Sequence, residues 1–177
     1  DDADPVMAAG AFQYVELGEH GARDAGGSRP AAYALFRDAL TQAQDYRRNP
    51  ATFGGRDRGA LIKRSDAEAL LKVIDGQVPL VVHVDRASDI RNVLGLTRDY
   101  PKLRLVLTGA SEGWRVAREI AAAKVPVIAA ALADLPESFE AVAATESNVG
   151  RMRAAGVQVG LSADGASGGE HNIRQYA

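Results

Sequence analysis

The amino-acid sequence predicts an α/β protein built from parallel β/α repeats. Three observations lead there. One grammar recurs at residues 79–86, 103–108, 125–131 and 156–164: an apolar run, polar side chains at its C-terminal end, then a helical stretch or a loop. The runs are rich in Val, Leu and Ile and nearly continuous, which suits a parallel sheet covered on both faces. Finally, 177 residues with 46% apolar and 25% charged composition are enough for one globular domain with a real core.

The elements follow in order. Residues 8–17 read as a first strand, and residues 18–29, with four glycines and no apolar period, as a loop. Pro30 suits a first helical position. Tyr33, Leu35, Phe36, Leu40, Ala43 and Tyr46 then recur at helical spacing, so the helix runs to about Arg48. Residues 49–59 are polar and glycine-containing, hence a loop. Ser65-Asp66-Ala67-Glu68 fits a capping box before a helix over 67–74, which Gly76 stops. Residues 80–84 form a strand, and Ser88 opens the next helix with Asp89 near the positive end of its dipole. A strand at 103–107 precedes a helix over 113–123 opened by Ser111-Glu112, and residues 125–131 form the next strand. Residues 134–139 form a loop, residues 146–155 a helix closed by Gly156, residues 157–161 a strand, and residues 162–169 a glycine-rich loop.

Composition excludes several classes of function. Net charge is -2 with no long basic stretch, which argues against nucleic-acid binding. With no cysteine there are no disulfides and no thiolate metal sites. No apolar run approaches the ~18 residues of a membrane span. The chain starts with Asp and carries no visible signal peptide, so it is expected to begin inside a longer gene product or after processing. Periplasm and cytoplasm both remain open as its compartment.

The polar residues at the strand ends are the candidates for chemistry. His83 ends its strand, where an imidazole acts as a metal ligand or general base; the alternative is a partly buried histidine bonded to a neighbouring strand. Asp164, just past the last strand, is a candidate metal ligand or base for water, or else an Asx turn in Asp-Gly. Asp85 and Arg86 are candidates for substrate binding, with a local salt bridge as the ordinary alternative. His171 follows the glycine-rich loop and is a further candidate at the same mouth. Residues 164–169 suit a phosphate cradle or a plain loop. His20 reads as exposed, and Trp114 as helix-to-sheet packing. With three histidines, no His-x-His and no His-Glu-x-x-His, a dense metal centre needs carboxylates or another chain.

Three blocks then acquire a common meaning: residues 82–90 (VHVDRASDI), 105–114 (LVLTGASEGW) and 156–164 (GVQVGLSAD). Their order and spacing, with Gly26-Gly27-Ser28-Arg29 and the closing His171-Asn172-Ile173-Arg174-Gln175, resemble the amidohydrolase superfamily, in particular its imidazolonepropionase-like branch. The resemblance implies a metal-dependent hydrolase of C–N bonds in small amides, cyclic amides or peptides. The implied fold is a partial TIM-type (β/α)₈ barrel, with residues 1–177 as one domain covering roughly strands four to eight, since a whole barrel takes about 250 residues. It implies that His83 is the fifth-strand metal ligand and Asp164 the eighth-strand ligand and catalytic base, with His171 as a further ligand or substrate contact. Zinc is the implied metal. The first-strand His-x-His pair is absent, Gly109 stands where the family carries its sixth-strand histidine, and Glu16 and Gln13 are nearest to the fourth-strand ligand position. The chain alone is therefore expected to bind zinc weakly or not at all and to be inactive. The rival expectation is a degenerate barrel acting as a ligand-binding or partner subunit. In either case the unclosed sheet is expected to pair with a second copy or with the missing part of the barrel.

Overall fold

The computed structural model describes residues 10–53, 61–130, 139 and 141–162. Five strands, β1 (Gln13–Glu16), β2 (Leu80–Val84), β3 (Leu105–Gly109), β4 (Val127–Ala130) and β5 (Val159–Ser162), form one sheet in the order β1-β2-β3-β4-β5. Every pairing is parallel. The helices are α1 (Glu19–Asp24), α2 (Arg29–Arg48), α3 (Arg64–Ile74), α4 (Ala87–Asp99), α5 (Ala117–Ala123) and α6 (Asn148–Ala154).

The sheet order decides the architecture. Each strand pairs with the next in sequence and the direction never reverses, so right-handed crossovers place every connecting helix on the same side. A doubly wound sheet reverses at a switch point and covers both faces; a barrel winds one way only. The burial pattern agrees. The register puts Leu80, Val82, Leu105, Leu107, Val127 and Ala129 on one face, and all are buried. They share a core with Leu40 and Ala43 of α2, Val73 of α3, Ile90 and Leu96 of α4, Ile120 of α5 and Met152 of α6.

The opposite face carries Tyr14, Glu16, Val81, His83, Val106, Thr108 and Ile128. No described helix covers it: Tyr14 is 55% and Ile128 38% exposed, and Val81 and Val106 are half-buried. The expectation of a sheet covered on both faces is thereby corrected. Apolar residues on the inner wall of a barrel are as frequent as those under a helix, so the runs look alike in sequence.

Smaller differences have local causes. Residues 18–29 hold α1, where Gly21 lies so close to the carbonyl of Glu16 that a side chain at 21 would strike the backbone. His20 is exposed, as expected, but on this helix. Helix α2 starts one residue before Pro30, capped by Ser28 Oγ accepting from Ala31 N at 3.2 Å. Helix α3 begins at Arg64, earlier than the Ser65 box predicted, and Asp66 Oδ2 accepts from Lys63 N at 2.9 Å. The helix expected over 113–123 is a 3₁₀ turn, Gly113–Arg115, followed by α5.

Candidate active site

In a parallel sheet, residues just past the strands' C-terminal ends share one rim, and there the candidate side chains gather. Glu16 ends β1 and is in register with His83, the penultimate residue of β2; His83 is level with Thr108 of β3. His83 Nδ1 lies 2.8 Å from Glu16 Oε1, and His83 Nε2 lies 3.5 Å from Asp85 Oδ2. The imidazole is thus held between two carboxylates from adjacent strand ends.

Glu16 is set to be an anion. Its carboxylate accepts from Gly18 N at 2.8 Å and from the Tyr14 hydroxyl at 3.1 Å, besides facing His83. Burial pushes its pKa up, but the His83 hydrogen bond and charge, with the Gly18 and Tyr14 donors, outweigh burial and hold it below the ordinary 4.5. An ionised Glu16 can only accept, so the proton at this contact sits on His83 Nδ1, and Nε2 is turned toward the Asp85 carboxylate.

The sign of the pH dependence follows. A depressed carboxylate contributes stability that is complete above the unfolded value of 4.5 and is lost as pH falls through the folded value. Glu16→Gln is therefore expected to cost about 1–2 kcal/mol near neutrality. Urea melts of both proteins from about pH 6 down to about pH 3 should show the gap holding to the mid-fours and closing below. A gap that widens on acidification rejects the assignment.

Asp85 does not pair with Arg86, which corrects the expected local salt bridge. It reaches the loop after β3 instead: Oδ1 accepts from Ser111 N at 3.0 Å and from Ser111 Oγ at 2.6 Å, while the Asp85 carbonyl accepts from Glu112 N at 3.0 Å. The loop makes this reach by two successive left-handed residues, Gly109 (φ 79°) and Ala110 (φ 52°). A Cβ on Gly109 would stand 2.8 Å from His83 Nε2 and 2.9 Å from Asp85 Oδ1. The position where the resemblance leads one to look for a histidine is already filled by the neighbouring strand's side chains.

The rim is braced from behind. Buried Glu112 accepts from Ala87 N at 3.1 Å, capping α4 from another loop, and from Ala143 N at 3.3 Å. Buried Asn148 at the start of α6 donates to Ala110 O and accepts from Trp114 N. Trp114 donates its indole N–H to Ala143 O at 2.8 Å, with the Arg151 guanidinium 4.5 Å over its ring. The 3₁₀ turn that carries it therefore packs against α6. Sequence reasoning missed Ser111, Glu112 and Asn148 in these roles. The only available signal was the block 105–114, which named a loop and not its contacts.

Asp164, His171 and the glycines of residues 165–169 lie outside the described residues. What is described brings together Glu16, His83 and Asp85. A catalytic zinc takes three protein donors with an open position. Here each ring nitrogen of His83 already faces a carboxylate, and among the described residues no group of three or more His, Asp or Glu side chains could hold a metal ion. This part of the site does not by itself fit zinc.

No protein-family model matches the sequence, and no curated protein matches it. Among solved structures the chain is similar to a crystal structure of an amidohydrolase from Thermotoga maritima MSB8, with a TM-score of 0.75 and 19% identity. The similarity covers 90% of this chain and 43% of that one, so the chain spans less than half of that protein's length. At this identity the likeness speaks for the fold. Joined to the one-way strand order and the single helical layer, it makes this chain a five-strand, parallel portion of a TIM-type barrel.

Proposed function

We propose that the full-length protein hydrolyses C–N bonds in small amides, cyclic amides or peptides, at the C-terminal rim of a barrel of which β1 to β5 are the fourth to eighth strands. The observation that carries this reading is the 2.8 Å contact between Glu16 and His83 at the ends of adjacent strands. A carboxylate behind a histidine fixes its tautomer and raises its basicity, the arrangement that hydrolases use for a ligand or a proton carrier. In this reading Asp164 takes the proton of the attacking water, His83 presents Nε2 to the reacting group, and Asp85, Arg86 and His171 contact the substrate. The T. maritima protein, described as an amidohydrolase, supports the reading at the level of the fold. The imidazolonepropionase-like branch remains part of the proposal, carried by the sequence blocks alone. So does the expectation that zinc binds weakly or not at all to this chain.

The reading is tested with a panel of N-acyl amino acids, cyclic amides and dipeptides, assayed on full-length protein prepared with and without added zinc. Turnover of at least one class, lost on His83 substitution, supports it. No turnover of any class under either condition removes it. One observation favours a second reading, a degenerate barrel that binds a small ligand or serves as a partner subunit: Gly109 leaves the end of β3 with no donor side chain. In both readings the half-covered inner face and the outer edges of β1 and β5 are closed by further strands or by a second copy.

A further inference from the structure

Arg86 is the residue at this rim that the contacts above leave unexplained. It follows Asp85 directly, is half-buried, and precedes the first residue of α4. Its Nε is buried without a hydrogen-bond partner among the described residues. The carboxylates nearest in sequence are engaged elsewhere: Asp85 with Ser111 and His83, Glu112 with two backbone N–H groups, Asp89 with Arg29 at 2.7 Å. A guanidinium is always charged, and a buried, unanswered N–H on it is costly. The positive end of a 13-residue helix beside it adds to that cost. Among the described residues no carboxylate answers this guanidinium, whereas an incoming anion answers its charge.

We propose that Arg86 receives a carboxylate of the substrate, so that the compounds engaged here are acidic amides, such as N-acyl amino acids or peptides with a free C-terminus. The planar fork of Arg matches a carboxylate through two parallel N–H donors, which gives orientation as well as attraction. The inference rests on the reading that substrate is engaged at this rim, and it makes Arg86 a specificity residue distinct from the His83 chemistry.

The test uses the full-length protein and two probes alike except for charge, N-acetylglycine and N-acetylglycinamide. Calorimetric titration and hydrolysis are followed for wild type, Arg86→Gln and Arg86→Lys. Wild type is expected to bind the acid about 10- to 100-fold more tightly than the amide, the size of a charged hydrogen-bonded pair. Arg86→Gln should erase that preference, and Arg86→Lys should retain a fraction of it. The thermal midpoint of Arg86→Gln should equal or exceed that of wild type, because an uncompensated charge has been removed. Binding of neither probe, equal binding of both by wild type, or a preference that survives in Arg86→Gln overturns the proposal. Acid preference without hydrolysis of either probe upholds it, and the hydrolase reading then falls only if the wider panel also shows no turnover. Hydrolysis without acid preference overturns it and leaves the hydrolase reading standing.

Discussion

Gly109→Ala is expected to destabilise the protein by about 2–4 kcal/mol and to push His83 off Glu16. Two costs add. An L-residue held in the left-handed region loses about 1–2 kcal/mol relative to glycine. The new methyl would also stand 2.8 Å from His83 Nε2 and 2.9 Å from Asp85 Oδ1, closer than such contacts are made, and 3.0 Å from His83 Cδ2. Neither neighbour yields freely. His83 is anchored through Nδ1, and Asp85 is pinned by two donors from Ser111. The melt should therefore shift, and the NMR signals of His83 should move with it. Gly109→His, the residue that the sequence resemblance leads one to look for at this position, should cost more still and should not create a metal site. A Gly109→Ala protein as stable as wild type, with His83 undisturbed, shows that the turn after β3 is not built as described.

His83→Gln is expected to lower kcat on whatever amide the full-length protein turns over by about 10²–10⁴-fold, the usual contribution of a positioned proton carrier. KM and the melting temperature should change little. Gln keeps an amide donor for Glu16, so the fold loses only part of one charged hydrogen bond. Glu16→Gln should cost less, since it disturbs the orientation of His83 without removing the ring, and the double variant should lose little more than His83→Gln alone. That non-additivity is the signature of one unit spanning β1 and β2. Equal and independent losses from the two substitutions mean that the residues act separately and that Glu16 is not the group behind His83.

Much of the fold was legible because local and global preferences agree. Pro79 and Asp85 bracket a Val-rich run of five residues, and β2 is Leu80–Val84 as read. The 3.6-residue period from Tyr33 to Tyr46 gives α2, and Gly76 and Gly156 stop helices in left-handed turns at φ 71° and 90°. Elements set by tertiary contacts were not legible. Helix α1 lies in a glycine-rich stretch whose small residue at 21 serves a close approach to β1. The break before α5 comes from Trp114 being tied to Asn148 and Ala143, 34 and 29 residues away. The site divides in the same way. His83, Asp85 and Arg86 are legible by position, because polar residues after a buried strand have few other reasons to be there. Which partner each takes was not legible: Ser111 reaches Asp85 from 26 residues downstream, through a turn that only coordinates reveal. Asp164 and His171 rest on the sequence alone.

The strand order also sets a timetable. Leu80 finds Leu105 only 25 positions on, and Leu107 finds Val127 only 20 positions on, whereas Gln13 must wait 67 positions for Leu80. The longer closure costs about 0.9 kcal/mol more in chain entropy than the 25-residue one. As the polypeptide leaves the ribosome, the middle of the sheet can assemble on itself while β1, made first of these five strands, docks late. Glu16 travels on that late strand, so the imidazole receives its carboxylate only once the surrounding scaffold stands.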